Sequence, residues 1–108
     1  LNGTGNIFQE IQGYLPNELV EELISLENCK IERIISKGHT TQEGKWYNQE
    51  KNEFVIIIKG DAELLFEENN QIIKMKEGDY INIPAHKKHR VIKTNPSKET
   101  IWLAIHYK

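Results

Sequence analysis

A chain of 108 residues has room for one hydrophobic core and hence for one domain. Charged residues make up 28% and apolar residues 38%, with a net charge of −2 and the two signs interspersed. That balance excludes a basic nucleic-acid stripe and an acidic tail for a basic partner. The longest apolar runs, residues 54–58 and 101–105, are far too short to span a bilayer. The opening LNGTGNIFQEIQ lacks the charged-then-apolar layout of a signal peptide. Cys29 is the single cysteine, so no internal disulfide can form. These features together lead to the expectation of a cytoplasmic protein with neither a membrane nor a nucleic-acid partner.

Residues 1–15, with three Gly and two Asn, read as a loose lead-in. Pro16 suits a helix start and Asn17 can cap it. Leu19, Val20, Leu23, Ile24 and Leu26 then recur near the helical period, so a helix is predicted over residues 17–27. After Cys29 the period changes to two. Strands are predicted over residues 31–36, 53–59, 62–67, 71–75, 80–83, 89–94 and 100–107, with a short one over 46–49. The run 53–59 (EFVIIIK) reads as buried on both faces, and Ala62, Leu64 and Phe66 share one side of the next strand. Asn69-Asn70 makes a hairpin turn because Asn tolerates positive φ. Short strands at this spacing indicate an all-β sandwich or barrel.

The strands and turns resemble the cupins, small jelly rolls with a two-part signature. The first part is G-x5-H-x-H-x3–4-E-x6-G, and Glu53 and Gly60 match its end. The second is G-x5-P-x-G-x2-H-x3-N, and Gly78, Pro84 and His89 match it. The resemblance covers about residues 31–107. It implies a double-stranded β-helix, a jelly-roll barrel over residues 31–108, with residues 1–30 as a lead and helix packed upon it.

The resemblance also implies a metal site of three histidines and one glutamate inside the barrel. Here the chain departs from the pattern. The positions of the first-motif histidines hold Tyr47 and Gln49, the glycine of P-x-G is His86, and the final Asn is Lys93. A replacement ligand is available. In a cupin the last strand pairs antiparallel with the strand that Glu53 begins, which brings His106 to Glu53. Glu53, His89 and His106 would then share a cavity and suit a divalent metal such as Zn, Fe, Mn or Ni. Gln49 is the expected fourth contact, and Tyr47 and His86 are the candidate acid or base. His39 reads as solvated in a polar loop. Lys87, Lys88 and Arg90 beside the barrel mouth would favour an anionic substrate.

Two functional readings follow. One is a metal-dependent isomerase, lyase or dioxygenase acting on a small polar or anionic metabolite. The other is a metal-free module that binds a sugar or metabolite without turnover, favoured by the loss of both first-motif histidines. The runs FVIII and WLAI are apolar on both faces, so a second copy is expected to cover one of them in a homodimer.

Overall fold

The computed structural model of the chain describes residues 3–9, 11 and 14–108. The expected lead-in over 1–15 includes residues 1, 2, 10, 12 and 13, which lie outside the described residues. The fold is all-β. In chain order the strands are β1 (Leu19–Ser25), β2 (Cys29–Ser36), β3 (Asn52–Lys59), β4 (Asp61–Phe66), β5 (Gln71–Lys76), β6 (Tyr80–Ile83), β7 (His89–Thr94) and β8 (Thr100–Tyr107). They form two antiparallel sheets. The first has the order β1-β2-β8-β3-β6 and the second the order β5-β4-β7. No helix among the described residues is long and apolar enough to cross a membrane.

The predicted helix over 17–27 is not present. Residues 19–25 are an edge strand paired with β2. The physical reason is a bulge. The register shifts between Glu22 and Ile24, so Leu23 is an extra residue that restarts the alternation. Leu19, Glu21 and Ile24 therefore sit opposite Ile35, Arg33 and Ile31 on one face, and Val20, Glu22 and Ser25 on the other. The apolar pairs this leaves, Leu19-Val20 and Leu23-Ile24, stand four apart and imitate a helical stripe.

Arg33 fixes this edge. Its side chain is buried, its Nε–H donates to Glu21 Oε1 at 2.6 Å, and its Nη2 also contacts that oxygen. Its Nη1 donates to the carbonyls of Ile7 and Gln9 at 3.0 and 2.7 Å, which ties the N-terminal segment to the sheet.

The other strands follow the sequence closely. Asn69 and Asn70 both adopt positive φ, 60° and 48°, in a short 3-10 turn between β4 and β5. Residues 46–49 make only an isolated bridge, Tyr47 to His89, rather than a strand. In β3, Glu53, Val55 and Ile57 are buried while Phe54, Ile56 and Ile58 are half-buried, so the strand is not closed on both faces. The core between the sheets holds Val55 and Ile57 of β3, Leu64 and Phe66 of β4, Ile83 of β6, and Trp102 and Ala104 of β8.

Gly60 has φ +93°, and a Cβ there would stand 2.6 Å from Thr100 Oγ1 and 2.8 Å from its Cα. The tight β3–β4 turn against β8 requires a residue with no side chain.

Candidate functional site

The register carries the site. Glu53 lies directly opposite His106, His106 opposite Lys30, and Glu53 opposite Ile83, one cross-strand row on the inner face of the large sheet. The next row, Glu32, Ala104 and Val55, and the row after it, Ile34, Trp102 and Ile57, share that face. His89 faces them from the first residue of β7 in the small sheet. Between the sheets is a cavity of about 160 Å³. Polar groups of Glu18, Glu32, Tyr47, Gln49, Glu53, His89 and His106 line it, against walls of Val20, Ile34, Val55, Leu64, Ile83, Val91 and Trp102.

Glu53 is 8% exposed, and its Oε1 stands 3.7 Å from His89 Nε2. The other ring nitrogen of His89, Nδ1, is 2.9 Å from the Lys87 carbonyl. A carbonyl can only accept, so Nδ1 carries a hydrogen, and the ring turns its Nε2 edge toward Glu53.

His106 is differently engaged. Its Nε2 donates to Glu32 Oε1 at 2.9 Å, and Lys30 Nζ lies 3.4 Å from the other Glu32 oxygen. Glu18 Oε2 accepts from Ser36 Oγ at 2.7 Å, and that hydroxyl oxygen accepts from Trp102 Nε1 at 3.2 Å.

Tyr47 lines the cavity, its ring 5.4 Å from that of His89. Burial, then the negative charge of Glu18, pushes its phenol above the ordinary value, Glu53 adds to this, and a hydrogen bond with Thr41 opposes it. Near neutral pH it is a hydrogen-bond donor rather than a base.

His86 does not join this cavity. It is exposed, with Nδ1 donating to Asn48 Oδ1 at 3.1 Å, and it lines a separate depression with Glu67, Glu68, Lys87 and Lys88. Its φ of 65° is the left-handed backbone that explains a glycine at this place in the motif. The basic residues Lys87 and Lys88 border that outer depression and are absent from the lining of the inner cavity. Arg90 packs over the Trp46 ring and also lies outside that lining. His39, expected in solvent, is a structural group: Nδ1 accepts from Lys37 N at 2.9 Å and Nε2 donates to the Leu15 carbonyl at 3.0 Å.

The expected metal ligands are therefore gathered but not assembled. Glu53, His89, His106 and Gln49 all line the cavity. His106, however, directs Nε2 to Glu32, and amide and phenol groups stand where two imidazoles would complete the set. Among the described residues no group of three His, Cys, Asp or Glu side chains is arranged to hold a metal ion. As they stand, these donors do not fit a metal centre.

Glu18 and Glu32 are cavity residues that the sequence did not reveal. In IERIIS each face of β2 carries one charged residue among apolar ones, so alternation alone could not say which of Glu32 and Arg33 pointed inward.

A two-sheet antiparallel sandwich with an acid- and imidazole-lined cavity between its sheets defines the class. Residues 34–106 match the cupin domain family, and the chain belongs to it. A crystal structure of a candidate mannose-6-phosphate isomerase from Ralstonia eutropha is similar at 35% identity over 97% of each chain, with a TM-score of 0.93. A cupin superfamily protein from Desulfitobacterium hafniense shares the fold at 19% identity, covering 90% of this chain and 83% of its own, with a TM-score of 0.74. The polyketide cyclase RemF from Streptomyces resistomycificus shares it at 15% identity, 85% and 66% coverage and a TM-score of 0.71. No curated protein matches the chain.

Proposed function

We propose that the chain is a small-ligand-binding cupin that works without a metal, taking a small polar molecule into the cavity between its sheets. The observation that carries this reading is the pair Glu53 and His89. Both are buried at the cavity, and Glu53 Oε1 stands 3.7 Å from His89 Nε2, beyond direct hydrogen-bond distance. A carboxylate and an imidazole at the wall of a small cavity, with no hydrogen bond between them, leave capacity to bond a polar ligand. In this reading Gln49, Tyr47 and His106 add contacts around the same ligand.

A second reading, proton-transfer isomerisation of a bound sugar-like substrate, is favoured by the 35% identity to the candidate mannose-6-phosphate isomerase. Two carboxylate–imidazole pairs, Glu53–His89 and Glu32–His106, border one cavity, and such pairs can accept and return a proton.

Elemental analysis of protein purified without a His tag or added metal tests the first reading. The expected content is far below one metal per chain. Stoichiometric Zn, Fe, Mn or Ni, lost in both Glu53→Ala and His89→Ala, would overturn it and restore the metal centre. Turnover of a sugar phosphate by the metal-free protein, abolished in Glu53→Gln, would select the second reading.

A further inference from the structure

We infer that Tyr47 sets the length of the molecule this chain accepts: its ring is the partition between the inner cavity and a second, polar chamber beside it, and it confines the ligand to the inner one. The inference rests on the small-ligand reading above and names the size of the ligand and the residue that fixes it.

Two cavities lie side by side. The inner one is the cavity of about 160 Å³ between the sheets. The second, of about 170 Å³, has Asn17, His39, Thr40 and Thr41 in its lining. Glu18, Tyr47 and Val91 line both, so these three side chains form the wall between the two. Val91 is short and set in β7, and the Glu18 carboxylate is turned to the Ser36 hydroxyl. The ring of Tyr47, the largest of the three, supplies most of the wall.

That ring is held at both ends. Tyr47 and His89 exchange backbone hydrogen bonds, the Tyr47 N–H donating to the His89 carbonyl at 2.8 Å and the His89 N–H to the Tyr47 carbonyl at 3.2 Å. The Tyr47 ring rests against the His89 ring, and its phenol is hydrogen-bonded with the Thr41 side chain. Thr41 is bound to the same strand at Val91. Its N–H donates to the Val91 carbonyl at 2.9 Å, and its hydroxyl oxygen accepts from the Val91 N–H at 2.9 Å. The backbone end and the phenol end of Tyr47 are thus both fixed to β7. A ligand that pushed the ring aside would have to give up the phenol bond and the ring contact together.

The size of the ligand follows. An engineered core cavity of about 150 Å³ accepts a molecule as large as benzene. The inner cavity, at about 160 Å³, therefore takes a ligand of similar bulk, with a polar end on Glu53, His89 or Gln49 and a short body along Val55, Leu64 and Trp102. A much longer molecule needs the second chamber, where Asn17, Thr40 and Thr41 offer polar groups to its far end. The ring of Tyr47 stands in that path.

The test is an NMR titration of the ¹⁵N-labelled chain with two uncharged probes, butane-1,4-diol and octane-1,8-diol. In the parent, butane-1,4-diol should shift the backbone amides of Glu53, Val55 and His89. Octane-1,8-diol should bind it about tenfold or more weakly, as expected for a molecule too long for its cavity. Tyr47→Phe keeps the ring and should keep this order. Tyr47→Ala and, independently, Tyr47→Leu remove the ring. Each should bind octane-1,8-diol at least as tightly as butane-1,4-diol, with the amides of Asn17 and Thr41 now moving as well. An otherwise unchanged amide spectrum before diol is added would report an intact fold. Equal affinity of the parent for the two diols would show the chambers already joined and overturn the inference. The parent's order persisting in both Tyr47→Ala and Tyr47→Leu would overturn it, as would loss of that order in Tyr47→Phe. Inner-cavity amides unmoved by either diol in all four proteins would overturn it too. The metal-free reading stands apart from these outcomes, because the metal analysis above decides it.

Discussion

Gly60 and Tyr47 show how single residues report on this fold. At Gly60 both the left-handed backbone and the contact with Thr100 oppose any side chain. Gly60→Ala should therefore cost about 1–3 kcal/mol in urea unfolding. Gly78, at φ +89° but with nothing near its missing Cβ, should lose less on the same change. Equal losses would mean that backbone strain alone sets both. For Tyr47, the raised phenol means that folding favours the protonated form. Its contribution to stability is complete below the ordinary value of 10.0 and is lost as pH rises through the higher folded value. Subtracting the phenolate absorbance titration of Tyr47→Phe from that of the parent should isolate this late transition. Glu18→Gln should move it back toward the ordinary range, and an unmoved transition would remove Glu18 as a cause.

Among the elements, β1 holds the largest difference between sequence and structure. Strands β2 to β8 were legible because their short apolar runs are bounded by Gly60, Gly78 and the Asn69-Asn70 turn, even though the β3–β8 and β4–β7 ladders also shift register. β1 was not legible because an inserted Leu23 breaks period two and leaves apolar pairs at helical spacing. The candidate site was half legible. The resemblance implied that the last strand pairs with the strand Glu53 begins, which brings His106 to Glu53, and the register has them there. The Glu32 contact that engages His106 was hidden, because it depends on which face of β2 turns inward. What holds β1 in place is testable through Arg33, which joins Glu21 to the carbonyls of Ile7 and Gln9 from a buried position. Arg33→Ala should destabilise by about 2–4 kcal/mol, less than for a fully buried pair because Glu21 is partly open to water. Proteolysis near residues 7–9 should quicken at the same time. A variant with unchanged stability would show that the N-terminal segment is held by other contacts.

Over the whole molecule, the large sheet has one face on the cavity, and on the other Ile35, Ile101 and Arg33 are buried while the residues toward β6 are less covered. Leu103 sits opposite Ile56, Ile105 opposite Phe54 and Ile31, and Tyr80 opposite Ile56, all on that outer face. All but Tyr80 are half-buried, and Tyr80 is 68% exposed with its ring against Phe54. Arg33 lies opposite Leu103 on this face but is buried and tied to the N-terminal segment, and the apolar residues beside it form a patch that suits a copy of itself, since an isologous contact sets the same surface on both sides. We therefore expect a homodimer joined through this face. Light scattering at micromolar concentration should give about twice the 12.6 kDa chain mass, and Leu103→Glu with Ile105→Glu should return the monomer mass while keeping the β spectrum. A monomer at every concentration would refute it.

The bulge at Leu23 has a further consequence for solubility. β1 is the outermost strand of its sheet, and Val20, Leu23, Ile24 and Leu26 are exposed along and just beyond it. A flat apolar border of this kind invites chain upon chain to add strands. The extra residue bends and twists the ladder at mid-strand, so an incoming strand cannot stay in step along its length. Removing Leu23 would straighten that border, and the shortened protein should form thioflavin-positive aggregates at concentrations where the parent stays clear.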